Sequence, residues 1–212
     1  MSKANRASKP RPYHHGDLRR ALVEAALELV TEEQDWTFSL REAARRAGVS
    51  HNAPYNHFAE KQDLLVAVAA TGFEILRDRL RAAVAGIDAA DKALLACGRA
   101  YIECGLDNPA LYRLMFGSVL PRSKGGLPAA AQGAGDDAES VLVDIIVGGA
   151  RSGVFAISPD DPLDQAKAVF LAWSTVHGIT MLLLDNLLKQ ELTIDDIAAE
   201  IERVVLKGLL PR

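Results

Sequence analysis

The chain has 212 residues, 49% of them hydrophobic and 25% charged, a balance typical of globular proteins that bury a core without metals or disulfides. Its uninterrupted apolar runs, such as Ile179 to Leu184 with Thr180 inside, fall far short of the roughly 20 residues of a bilayer span, and no apolar stretch follows the basic N-terminus. No membrane partner is therefore expected, and a cytoplasmic location is. The net charge of −4 argues against nucleic acid, but residues 1–67 hold ten basic against nine acidic side chains, and the first twenty hold six basic groups with Asp17 as the one acid, a pattern that fits a DNA-contacting head on an acidic body.

Residues 1–12, with Pro10, Pro12 and no apolar period, read as a disordered basic arm, either a DNA-contacting tail or a merely solvated one. Leu18, Ala21, Leu22, Ala25, Ala26, Leu29 and Val30 recur at helical spacing and predict a first helix over Asp17–Val30. Ser39 with Glu42 three residues on is a capping-box signature for a second helix, and Gly48 supplies the left-handed turn that ends it. Ser50 can cap a short third helix. A long fourth follows Lys61, with Leu64, Leu65, Val68, Phe73, Leu76, Leu80 and Val84 as its apolar face. Further helices are predicted over Asp88–Gly105, from Asn108-Pro109, over Asp136–Arg151, from Asp161-Pro162 to about Lys189, and from Thr193 to before Pro211, with the Gly/Pro/Ala-rich stretch 121–135 as a loop. No segment shows a strand period. The expectation is an all-α chain of about nine helices: the arm (1–12), a three-helix head (13–62) and a helical body (63–212). Cys97 and Cys104, on one helix, lie roughly 10 Å apart along its axis, too far to pair, and read as reduced thiols.

The segment from Phe38 to Leu65 carries the chemistry that stands out. A helix, a glycine turn, a short polar helix and another helix form the layout of a helix-turn-helix DNA reader, whose second element enters the major groove while the first braces it. Val49 and Phe58 read as the anchors of the short element, which leaves His51, Asn52, Ala53 and Asn56 facing outward. Asn can donate and accept together at an adenine edge. Tyr55 and His57 can reach phosphate oxygens, and Lys61 adds its charge to the free N–H groups of a helix N-terminus. Pro54 removes an N–H and crowds the carbonyl of Ser50, so the short helix can instead begin at Asn52. His14 and His15 have no second pair at i, i+4 spacing, and His51 and His57 face differently. No metal or other cofactor is therefore expected, and His14 and His15 read as neutral or phosphate-contacting groups.

The run G-V-S-H-N-A-P-Y-N-H-F-A-E-K-Q-D-L-L, with the helix Asp17–Val30 before it, resembles the tetracycline-repressor (TetR) family of transcription regulators over about residues 14–67. The resemblance implies base-facing positions at Ser50, His51, Asn52, Ala53 and Asn56 and backbone contacts from Tyr55, His57 and Lys61. It also implies a double-stranded, palindromic operator, a homodimer and a small-molecule effector. Pro54 and Asn56 depart from the family pattern, so no relative's operator can be transferred.

In the body, Trp173, His177 and Gly178 resemble a subgroup whose C-terminal domain is named for a Trp-His-Gly motif. Trp173 and His177, four apart, share a helix face. Either His177 is a core histidine bonded to a neighbour, or it belongs to the wall of a pocket for a largely apolar effector, with Tyr101, Cys104, Tyr112, Met115, Phe116, Phe170, Trp173 and Met181 as companions. The last two helices resemble the family's four-helix dimer interface. Leu182, Leu183, Leu187, Leu188, Ile194, Ile197, Ile201, Val204, Val205 and Leu209 supply more apolar surface than one packing face needs; completing the monomer core is their alternative use. No nucleophile–base pair, metal-ligand spacing or phosphate-cradling glycine loop suggests an enzyme. The reading is a ligand-released repressor. Its rivals are a constitutive DNA-binding protein without effector and a helical enzyme or binding protein carrying a helix-turn-helix head.

Overall fold

The structure, a computed structural model, describes residues 15–122, 126–188 and 192–209. Among these, nine α-helices follow one another: α1 His15–Glu33, α2 Leu40–Arg46, α3 Lys61–Val84, α4 Ala90–Asp107, α5 Pro109–Phe116, α6 Ala129–Arg151, α7 Pro162–Leu184, α8 Ile194–Ile201 and α9 Lys207–Leu209. One 3-10 turn, Ala53–Asn56, lies between α2 and α3, and a π-helical turn, Glu202–Leu206, joins α8 to α9; no β-strand occurs among the described residues. The fold is all-α, as the sequence predicts. The arm 1–12 and His14 lie outside the described residues, as does the side chain of His15.

The head closes around Leu22, Ala26 and Val30 of α1, Ala43 and Ala44 of α2, and Leu64 and Val68 of α3, all fully buried. The α2 start is the capping box its sequence announces. The Glu42 N–H donates to Ser39 Oγ (3.2 Å), and the Ser39 N–H donates to the Glu42 carboxylate (2.6 Å). Gly48, at φ +69°, ends it. Arg46 fastens α2 to α1 by donating to both Glu32 carboxylate oxygens at 2.9 and 2.7 Å, and this bond lowers the Glu32 pKa.

One helix joins head to body. α3 has 24 residues, about 36 Å of rod. It packs on α1 at its start and on α4, α5 and α6 beyond, so the division expected at residue 62 falls inside a continuous helix. α5 sits so close to α3 at Gly72 that a Cβ there would meet Met115 Sδ at 2.6 Å, and α7 approaches α4 through Thr180 at Gly105. Arg113 ties α5 to the end of α7 through the Leu184 carbonyl (2.7 Å) and the Asp185 carboxylate (2.9 Å).

Four expectations need correction. The predicted loop 121–135 is helical from Ala129: burial of Ala131 and Ala138 against the body outweighs the helix cost of its glycines. α7 stops at Leu184, where Asn186 turns left-handed at φ +52°, and does not reach Lys189. The final helix is broken by its π turn. The short third helix is one 3-10 turn, because Pro54 cannot donate to an α-helical ladder.

The count of uninterrupted apolar runs also misleads. α7 is long and apolar enough to cross a membrane by length and composition, with a mean hydropathy of 1.4 over its best window, of which 28% is buried. Ser174, Thr175 and His177 interrupt the run without lowering the average. The residues expected to form a dimer interface divide: Ile197 and Leu209 are buried in the monomer, Leu183, Leu188, Ile194 and Ile201 are half-buried, and Leu182, Leu187 and Val204 are exposed. The side chain of Val205 lies outside the described residues.

Candidate nucleic-acid interface and body cavity

The recognition segment begins where α2 ends. The Val49 N–H reaches back to the Ala44 carbonyl (3.0 Å), the Ala53 N–H to Ser50 (3.0 Å), and the His57 and Phe58 N–H groups both to Pro54 (2.9 Å). Pro54 and Phe58 are buried and pin the turn to the head, while Ser50, His51, Asn52, Tyr55 and Asn56 are exposed. Two predicted positions differ. Ala53 is half-buried against the core, because Pro54 draws the chain inward there. His57 is half-buried with Nε2 enclosed and without a hydrogen-bond partner among the described residues, so this nitrogen is turned away from any phosphate.

The basic groups are not equivalent. Lys61 opens α3 with its ammonium 5.2 Å from the centroid of Phe38. Burial pushes its pKa down, while Asp35 and Glu42 pull it up. Arg19 lies over Phe58, 5.4 Å from the ring centroid, which puts a guanidinium beside the recognition turn. Its value was not legible in the sequence, because nothing in α1 shows which of its arginines crosses to Phe58. Arg46, bound to α1, is structural.

Within the body, α3, α4, α6 and α7, with Phe116, Arg122 and Ile201 at its edges, surround a cavity of about 230 Å³. Of the predicted pocket residues, Tyr101, Phe116 and Trp173 line it. Tyr112 and His177 stand behind them. Cys104 and Met115 are buried elsewhere in the core, Phe170 is 66% exposed, and Met181 is half-buried against the core. On α7 the wall is made by Ala172, Trp173 and Val176, and helical geometry carries positions 170 and 181 round to other faces. The sequence reading missed Phe73, Leu76, Cys97 and Leu142, and with them the polar rim of Arg122, Gln132, Asp136 and Glu139.

The predicted motif forms a network. The Trp173 indole N–H donates to the Tyr101 hydroxyl (3.2 Å), and the Tyr112 hydroxyl donates to that of Tyr101 (3.1 Å). Both phenols converge on His177 Nδ1, 2.7 Å from Tyr112 and 3.1 Å from Tyr101. Burial, with Arg122 second, lowers the His177 pKa, so the ring is neutral at pH 7 and Nδ1 can accept. Burial also pushes the Tyr101 phenol up to about 12 and raises that of Tyr112, so both keep their protons. Cys97 and Cys104 are unpaired, and burial moves the Cys97 thiol up to about 12, unfavourable for a thiolate in the cavity wall. Among the described residues no group of three or more His, Cys, Asp or Glu is placed to hold a metal.

Residues 22–68 match the family profile of bacterial regulatory proteins of the tetR family, and residues 94–206 match that of a tetracyclin repressor-like C-terminal domain. An uncharacterized HTH-type transcriptional regulator of Haemophilus influenzae is 30% identical over 115 residues, covering 54% of this chain and 56% of that protein, so the chain spans about half the length of this relative. A protein of unknown function from Rhodococcus sp. RHA1 superposes with a TM-score of 0.77 at 32% identity, covering 95% of this chain and 100% of its own. A TetR family transcription regulator from Marinobacter aquaeolei VT8 shares the fold, with a TM-score of 0.65 at 17% identity, 93% of this chain and 97% of its own.

Proposed function

The chain belongs to the TetR family of bacterial regulatory proteins, DNA-binding transcription regulators rather than enzymes, and we propose that it is a repressor that binds a palindromic operator as a homodimer and leaves it when a small, largely apolar molecule occupies the body. The observation that carries the ligand-responsive reading is the cavity of about 230 Å³. Its wall includes Phe73, Leu76 and Leu80 of α3, the same helix whose first residue, Lys61, adjoins the recognition segment. A ligand that prefers one setting of α3 shifts the head between DNA-binding and non-binding arrangements. Base contacts are assigned to Ser50, His51, Asn52, Ala53 and Asn56, and backbone contacts to Tyr55, Lys61 and, after a turn of its ring, His57.

The homodimer is supported by exposed apolar side chains on and after α7, including Phe170, Leu171, Leu182 and Leu187. A second copy covering this face gives a membrane-grade helix an ordinary place in a DNA-binding protein. Selection of bound duplexes from a random pool, followed by displacement of the selected DNA in a small-molecule screen, tests the whole reading. A two-fold symmetric site bound by two chains and released by a compound that raises the melting temperature is the expected result. A site without symmetry rejects the dimeric mode, and a failure of every stabilising compound to release DNA rejects the effector.

A further inference from the structure

The interior of the cavity and its rim differ in chemistry. Inside, Phe73, Leu76, Leu94 and Val176 present carbon. The Trp173 N–H and the Tyr101 hydroxyl, though on the wall, are engaged with each other and with Tyr112 and His177. A sugar, nucleobase or free amino acid seated there would lose its hydration without gaining partners. The body of the ligand is therefore apolar.

The rim is a stripe of α6. Gln132, Asp136 and Glu139 stand at i, i+4 and i+7 and so share one helix face. The Gln132 amide is occupied, its carbonyl accepting from the Leu127 N–H (3.2 Å) and its Nε2–H donating to Asp136 (2.6 Å). That bond holds the Asp136 carboxylate in place. Glu139 has no hydrogen bond or ion pair among the described residues. The guanidinium of Arg122, also on the rim, donates to the carbonyls of Phe116 (2.8 Å) and Gly117 (3.3 Å), which anchors it to its own segment rather than to the carboxylates. Arg77, on α3, is paired with Asp78 (2.8 Å) and faces Asp137 (3.9 Å). Among the described residues of the rim, two carboxylates accompany one tethered guanidinium, above walls that include Tyr101, Phe116 and Trp173.

We propose that the effector is an amphipathic organic cation, its apolar body inside the cavity and its positive group at the α6 rim beside Asp136 and Glu139. The inference rests on the reading of this cavity as the effector site. Rim carboxylates attract the cation, and the aromatic faces below add to that attraction. An anion would meet the same carboxylates unfavourably, and to use Arg122 it would have to draw it from its carbonyls.

The test uses the full chain carrying Trp36→Phe, which leaves Trp173 as the only one of the two tryptophans and makes its fluorescence report on the cavity. Three probes of similar shape are titrated: 4-phenylbutyltrimethylammonium, 6-phenylhexanoate and 6-phenylhexanol. The cation is expected to bind about tenfold more tightly than the alcohol, and the anion more weakly than either. Asp136→Asn with Glu139→Gln should lower the cation's affinity several-fold toward that of the alcohol, leaving only the contribution of the aromatic faces, and leave the alcohol unchanged. Both side chains are exposed, so melting curves of the variant should overlay those of the parent. Preference for the anion, abolished by Arg122→Gln, overturns the proposal, and so does a preference for the cation that the double substitution leaves undiminished. Equal binding of all three overturns charge selection but keeps the cavity as the effector site, whereas no binding by any probe removes both.

Discussion

The Gln62 side-chain amide donates to the Val119 carbonyl at 2.8 Å, joining the first turn of α3 to the segment between α5 and α6. That segment begins at Gly117 and includes Arg122, which lines the cavity together with Phe116 at the end of α5, and the buried Leu120 fixes it to the core. The hydrogen bond therefore spans from the cavity to the residue next to Lys61. Gln62→Leu keeps the bulk and removes the donor. It is expected to hold operator affinity within about threefold while shrinking the drop in affinity caused by saturating effector. Linkage requires the operator's effect on effector binding to shrink by the same factor. Operator titrations with and without effector measure both, and an undiminished response in the variant excludes this bond from the coupling.

Lys61 stands at the start of α3, over Phe38, where it can neutralise one phosphate. Lys61→Ala should weaken specific and random duplexes alike and reduce the slope of log affinity against log salt by about one unit. An unaltered slope would place Lys61 outside the interface.

Asn56 ends the recognition turn and is exposed. Asn56→Ala is expected to relax preference at one base position per half-site at a cost of about 1–3 kcal/mol. Repeating the duplex selection with the variant checks this; an equal loss on every sequence would make Asn56 a phosphate contact.

The head was legible because its signals are local. The Ser39–Glu42 box, Gly48 and the buried Phe58 each state a backbone or packing requirement within a few residues. Trp173 and His177 could be paired from helical spacing, but their partners Tyr101 and Tyr112 lie more than sixty residues away, and only packing joins them. The α6 rim was hidden for another reason. Its first turns, rich in Ala and Gly, carry a loop composition, so the sequence starts this helix only at Asp136 and leaves Gln132 in a loop. The face that joins Gln132 to Asp136 and Glu139 emerges only when tertiary burial extends the helix to Ala129.

His177 makes the stability of the body depend on pH. Its folded pKa lies below the ordinary 6.5, so between the two values the unfolded chain binds a proton that the folded chain excludes. The neutral ring's contribution is complete above about 6.5 and is lost as pH falls through the lowered value. Denaturant midpoints of the parent should therefore fall more steeply below pH 6.5 than those of His177→Gln. Parallel curves would show that the ring does not titrate between these states.

Trp173 separates the effector's role from that of DNA. It is 37% exposed and lines the cavity, and its helix packs on α4 and α6, away from the recognition turn. Truncation therefore removes cavity wall more than core: Trp173→Ala should cost less than the roughly 3–5 kcal/mol of a fully buried Trp. Operator affinity should stay near that of the parent, because no recognition residue moves, while the response to effector falls as the ligand loses an aromatic wall. Trp173→Phe is the informative companion. It keeps a ring but removes the N–H that donates to Tyr101, so it should retain most of the response if the ring matters and lose it if orienting Tyr101 matters. Melting temperature, operator affinity and effector response measured on the same preparations decide the matter. A large drop in melting temperature with DNA binding lost as well would make Trp173 a core residue and leave the cavity without its proposed wall.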